Sequence, residues 1–82
     1  MEIIITPQAE KHLQKIPKSE QTKITRKNFL LQTEPLAGKK LTGVLSQLRS
    51  LRAWPYRIIY HIHEKTQIVH IVTIAHRQGV YK

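Results

Sequence analysis

The chain has no cysteine, and all five of its acids are glutamates, so aspartate is absent too. Without cysteine there is no disulfide and no thiolate metal site, and a reducing cytoplasm suits the composition. Without aspartate, a Ser/His/Asp nucleophile system cannot be assembled. Glycine is scarce at three residues, none of them in a phosphate-cradling loop. No apolar run approaches the roughly 18 residues that a membrane-spanning helix needs, so no membrane partner is expected. The opening Met1–Pro7 has a short apolar stretch but no basic flank, which argues against a signal peptide.

What is abundant is positive charge. Lysine and arginine total 14 against the 5 glutamates, a net of +9 over 82 residues. The excess is uneven. Residues 1–34 hold six basic and four acidic residues, whereas residues 35–82 hold eight basic and one acidic. Four of the five arginines, Arg49, Arg52, Arg57 and Arg77, fall in the second part. A strongly basic half rich in arginine points to phosphate or to an acidic partner, with RNA or DNA the favoured source of the phosphate. The length fits a single domain, 1–82, which at this size buries only roughly 60–65% of its unfolded surface.

Residues 2–6, with three consecutive isoleucines, read as a strand. Thr6-Pro7 then opens a helix, because Thr can cap and Pro fits the first position. Ala9, Leu13 and Ile16 form its buried line, with His12 at the boundary, and Pro17 ends it. Ser19 is expected to cap a second helix, with Glu20 favourably placed near the positive end of the dipole. Ile24 and Leu31 mark its buried line, flanked by Phe29 and Leu30. Lys23, Arg26 and Lys27 lie on its wet face. Pro35 stops this helix, and the short link between the two predicts an antiparallel hairpin.

Residues 35–43 read as a connection in which Leu36 and Leu41 reach back to the core and Lys39 and Lys40 stay exposed. Beyond it the apolar period shortens towards 2. Leu45–Arg52, Tyr56–His63 and Ile68–His76 are three strands, joined by turns at 53–55 and 64–67. The order strand, helix, helix, then three strands (β-α-α-β-β-β) predicts an α+β fold. Its helical hairpin packs on one face of a mainly antiparallel sheet. Alternation puts Tyr56, Ile58, Tyr60 and Ile62 on one face and Arg57, Ile59, His61 and His63 on the other. On the last strand it groups Ile68, His70, Val72, Ile74 and His76 against Val69, Ile71, Thr73, Ala75 and Arg77. Arg57 must then reach an open face or an anionic partner.

His61 and His63 share a strand face but lack nearby carboxylates and ligand spacing, so no metal site is expected. No cofactor motif is present. The remaining Arg, His, Tyr and Lys set is able to cleave RNA without metal. RNA supplies its own 2′-hydroxyl nucleophile. The protein needs a base, an acid for the departing 5′-oxygen, and cations around the phosphate. Histidine suits proton transfer, and tyrosine stacks on a base or orients the 2′-hydroxyl.

The segment Leu48-Arg49-Ser50-Leu51-Arg52-Ala53-Trp54-Pro55-Tyr56-Arg57-Ile58-Ile59-Tyr60 resembles the strand–turn–strand of the RelE/ParE toxin superfamily. The closing His76-Arg77-Gln78-Gly79-Val80-Tyr81 is similar to the C-terminal signature of its RelE branch. The resemblance covers essentially the whole chain. It implies a type II toxin that cuts mRNA in the ribosomal A site, contacts the ribosome and its rRNA, and acts in the cytoplasm. A cognate acidic antitoxin would neutralise it, and the toxin–antitoxin hetero-oligomer would repress its own operon.

Carried over by motif, Arg57 would hold the scissile phosphate and Arg77 would serve the phosphate and leaving oxygen. Tyr81 would stack on or orient the nucleotide, and Arg52 matches a basic position. His76, beside Arg77, has the chemistry of a proton carrier. Arg49, Lys39 and Lys40 complete the expected RNA-binding set. Ser50 and Leu48 stand where RelE enzymes commonly carry cations, and the identity of the general base is left open. Two alternatives stand beside this reading: a ParE-like toxin that binds DNA gyrase without catalysis, and an inactive RNA-binding or interaction module.

Overall fold

The structure, a computed structural model, describes residues 1–43 and 47–76. Its elements are β1 (Glu2–Ile5), α1 (Pro7–Gln14), α2 (Lys18–Thr33), β2 (Lys39–Lys40), β3 (Arg49–Ala53), β4 (Tyr56–His63) and β5 (Ile68–His76). The five strands form one sheet in the order β1-β5-β4-β3-β2. β1 lies parallel to β5, and every other pairing is antiparallel. The α+β class and the helices-before-meander order are as expected.

Thr6 makes the first corner. Its hydroxyl accepts from the Ala9 amide at 3.3 Å, capping α1, and Pro7 occupies the first helical turn. The same hydroxyl lies 2.8 and 3.0 Å from the carbonyls of Ile71 and Val72 on β5. One side chain thus caps the helix and ties its start to the sheet. Ala9 in α1 and Ile16 just after it are buried, and His12 meets the Thr73 hydroxyl through Nδ1 at 2.6 Å.

The start of α2 differs from expectation. Pro17 is the N-cap, no side chain caps the helix, and Ser19 lies inside it. The Pro17 carbonyl instead accepts from the Glu20 and Gln21 amides, at 2.9 and 3.0 Å. Gln21 Nε2 donates back to the Ile16 carbonyl at 2.7 Å, which fastens the corner between the helices. A proline already locked near helical φ replaces the hydroxyl cap. The buried line of α2 is Ile24, Asn28 and Leu31. Asn28 is a polar member that the apolar pattern did not reveal.

The two helices cover the sheet, α1 over β5 and α2 over β1 and β3. Ala9, Ile24, Leu31, Ile58, Tyr60, Val69 and Ile71 form the heart of the core. Leu36 is 67% exposed and Leu41 half-buried, so the connection does not anchor itself through Leu36. It anchors through the Tyr60 hydroxyl, which meets the Pro35 carbonyl and the Gly38 amide.

Two features escaped the apolar pattern. The first is β2, where Lys39 pairs with Ser50 and Lys40 with Arg49. Two lysines carry no periodicity, and only tertiary pairing makes them a strand. The second is a register shift opposite Ile59 and Tyr60. Ile58 pairs with Ile74, yet Tyr60 pairs with Ile71, so Ile71 and Ile74 both join the core although they are three apart. Strict alternation had separated them, and the irregularity reunites them. The strand expected over Leu45–Arg52 is shorter, beginning at Arg49 and running to Ala53. Residues 44–46 lie outside the described ones.

Candidate nucleic-acid interface

β3 and β4 are joined by a tight turn at Trp54-Pro55, which fixes their register from Arg49↔Tyr60 to Ala53↔Tyr56. This register places Arg52 directly opposite Arg57. Two guanidinium groups opposed on one sheet face repel each other, and a bound anion would relieve that repulsion. The arrangement therefore favours an anionic ligand over an empty site.

An open groove of about 600 Å³ includes both arginines. Its cations are Lys27 from α2, Lys39 and Lys40 from β2, Arg52 from β3 and Arg57 from β4. Thr42 and Ser50 add hydroxyls, and among the described residues no acid lines it. Five cations gathered in one groove without a carboxylate suit a phosphate backbone in charge. Arg52 also sits with its Cζ 5.9 Å from the ring centre of Trp54, which is 51% exposed. The guanidinium lies over the indole ring, and the two planar groups together offer a surface on which a base could stack.

Of the residues expected from sequence, Arg52, Arg57, Lys39 and Lys40 come together here. Arg49 does not. Its Nη1 donates to the Gly38 carbonyl at 3.0 Å, and it lines a separate depression with Lys40 and His61. Alternation along β3 points it away from Arg52. His76 continues the β5 ladder, opposite Tyr56, and the two rings meet edge to face at 5.4 Å. Ala75 pairs with Arg57, so His76 shares the face of Tyr56 rather than that of Arg57. β5 continues through His76, so His76 and Arg57 stand on opposite faces of the sheet. Arg77 and Tyr81 lie outside the described residues.

Sequence reasoning missed Lys27, read as part of a wet helix face, and Trp54, read only as turn. No local signal marks Lys27, because its place depends on how α2 crosses the sheet. Trp54 had one: an aromatic in a turn between two arginine-bearing strands.

Tyr60 organises the ground beneath the groove. It is fully buried, donates from Oη to the Pro35 carbonyl at 2.7 Å and accepts from the Gly38 amide at 2.9 Å. Burial pushes its pKa up, against smaller opposing effects from the Gly38 amide and the Arg49 charge. The hydroxyl therefore stays protonated and able to donate to Pro35. His61 pairs with His70 across β4 and β5 and lies 6.4 Å from the His63 ring. Among the described residues no three such side chains converge as metal ligands. Among them, too, no helix is long and apolar enough to cross a membrane.

The comparisons with known proteins agree with this fold. Residues 3–81 match the family model described as the ParE toxin of the type II toxin–antitoxin system parDE. A chain of the toxin–antitoxin complex RelBE2 from Mycobacterium tuberculosis is 31% identical, with a TM-score of 0.86 over 93% of this chain and 96% of that one. A chain of the archaeal RelE–RelB complex from Pyrococcus horikoshii is 26% identical, with a TM-score of 0.78 over 98% and 97%. The YoeB/ParE toxin from Agrobacterium tumefaciens shares the fold at 18% identity, with a TM-score of 0.79 over 93% and 98%. No curated protein matches the chain significantly. A family model spanning nearly every residue, and a strand–turn–strand that carries the opposed arginines on that same fold, make this chain a type II toxin of the RelE/ParE superfamily.

Proposed function

We propose that this toxin is a ribosome-dependent mRNA endonuclease that uses the RNA 2′-hydroxyl as nucleophile and needs no metal. The observation that carries the reading is the Arg52–Arg57 opposition inside a groove whose described lining holds five cations and no acid. Arg57, on β4 with a strand on either side, holds the scissile phosphate and stabilises the charge that builds on it. Arg52, Lys39, Lys40 and Lys27 track the flanking backbone. Arg77 serves the phosphate and the leaving oxygen, and Tyr81 stacks on or orients the nucleotide. His76 meets Tyr56 on the other face of the sheet, so in this scheme the proton carrier is a group other than His76. Residues 1–82 act as one domain in the cytoplasm.

The partner is an acidic antitoxin. Relatives of this fold are seen in toxin–antitoxin complexes, among them the RelBE2 and RelE–RelB pairs. A chain at +9 is suited to capture by an acidic segment, with affinity that falls as salt rises. The resulting hetero-oligomer represses its own operon.

Primer extension on a translated message tests the reading. New 5′ ends are expected with the wild-type chain and their loss with Arg57→Ala or Arg77→Ala. Absence of new ends with toxic wild-type protein overturns it. A second reading has its own support, since the matching family model describes ParE toxins. In that case the toxin binds DNA gyrase without catalysis, and inhibition of supercoiling by the purified chain identifies it.

A further inference from the structure

The two lysines of β2 are held in place by residues that do not themselves line the groove. The segment before them is fastened at three backbone points. The Tyr60 hydroxyl donates to the Pro35 carbonyl at 2.7 Å and accepts from the Gly38 amide at 2.9 Å. The Arg49 guanidinium donates to the Gly38 carbonyl at 3.0 Å. Lys39 is the next residue. Beyond it the ladder to β3 is short, ending with the Leu41 amide on the Leu48 carbonyl at 3.0 Å. A two-residue strand has too few bonds to hold itself, and its flanking Leu36 is out in solvent.

The fit at Gly38 is close. A Cβ there would lie 2.7 Å from Tyr60 Oη and 2.9 Å from the Ser50 carbonyl. The glycine is present because the chain passes directly over the tyrosine.

We propose that Tyr60, Gly38 and Arg49 form a latch that sets Lys39 and Lys40 against the groove. The latch thereby determines how many phosphates the protein neutralises. Tyr60 and Arg49 are positioning residues in this scheme: they act through the β2 backbone and touch no ligand. The proposal rests on the nucleic-acid reading of the groove. It also gives Arg49, which the sequence placed among the RNA-binding residues, a different task.

The test combines two measurements on the full chain. Amide hydrogen exchange reads the latch without any ligand. Tyr60→Phe and Gly38→Ala should each speed exchange at Leu41 by about tenfold, the equivalent of one missing hydrogen bond, and Tyr60→Phe should do the same at Gly38. Binding to a short, uncleavable 2′-O-methyl RNA reads the consequence, taken well below each variant's melting temperature. For a single strand, the slope of log affinity against log salt changes by about 0.7 for each phosphate neutralised by a cation. Tyr60→Phe changes no charge, yet it should flatten the slope by about 1.4, as should Lys39→Ala/Lys40→Ala. Combining all three substitutions should flatten it no further.

Reduced stability alone would leave the slope of the folded protein unchanged. If Tyr60→Phe leaves exchange or slope at the wild-type value while the lysine variant flattens the slope, the latch is wrong and the RNA reading survives. If removing the lysines has no effect on the slope, β2 does not touch the strand. The nucleic-acid reading of this edge then falls, and the latch proposal with it.

Discussion

Arg52 and Arg57 face each other across β3 and β4, two like charges in direct register. Opposed cations of this kind cost stability relative to a neutral pair. Replacing Arg52 with Gln should therefore raise the stability of the free protein by about 0.2–1 kcal/mol. The same change should weaken binding to single-stranded RNA and reduce its salt dependence. Urea denaturation and a salt titration of binding, run on the same variant, check both signs. A variant that loses stability along with affinity would mean that the pair is not strained in the free state.

Tyr60 links pH to stability. Its pKa is raised in the folded protein, chiefly by burial. An acid with a raised folded pKa is stabilising below its unfolded pKa, near 10, and that contribution is lost as pH rises above it. Stability should thus decline above about pH 10 more steeply in the wild type than in Tyr60→Phe. At neutral pH the Phe variant should be less stable by about 1–3 kcal/mol, because the Pro35 carbonyl and Gly38 amide lose their partner. Thermal melts of both proteins from neutral to alkaline pH give the comparison.

Asn28 occupies the buried line of α2 at 7% exposure, and its Oδ1 finds no hydrogen-bond partner among the described residues. An unpaired buried acceptor carries its desolvation cost without return. Asn28→Leu, nearly the same shape, should stabilise the chain by about 1 kcal/mol. A lower melting temperature would show that the amide is satisfied in solution.

Thr6 holds the first corner through its cap on Ala9 and its bonds to the carbonyls of Ile71 and Val72. Thr6→Val keeps the shape and removes the hydroxyl. It should cost about 1–2 kcal/mol, a typical figure for removing a helix cap. Chemical denaturation measures this, and an unchanged midpoint would mean that water replaces the hydroxyl.

Much of this architecture was legible in the residues. Period and punctuation set the limits of β4 and β5. Thr6-Pro7 marked the start of α1, and the arginine excess after residue 34 marked the sheet as the charged region. These are local signals: a cap, a proline, an alternation between apolar and polar side chains. What stayed hidden depends on residues distant in sequence. Lys39 and Lys40 become a strand only because β3 offers them an edge. Ile71 and Ile74 share the core only because the ladder slips opposite Ile59 and Tyr60. Ser19 yields the cap of α2 to Pro17 because the corner is closed by backbone and Gln21.

For function, the sequence alone supplied the charge, the absence of thiol or aspartate chemistry, and the Arg-Ala-Trp-Pro-Tyr-Arg segment. It could not decide which cations act together. Arg49 and Arg52 are three residues apart, but a pleated strand sends them to opposite sides, and the Gly38 carbonyl claims Arg49. His76 and Arg57 looked like neighbours in one site, but the β4–β5 register sets His76 against Tyr56. Lys27, far upstream of Arg57 in the chain, joins the groove because α2 crosses that end of the sheet. Charge and element type are properties of residues and short windows, so sequence determines them. The company that each charge keeps is set by pairing and packing across the chain, and the tertiary structure alone decides it.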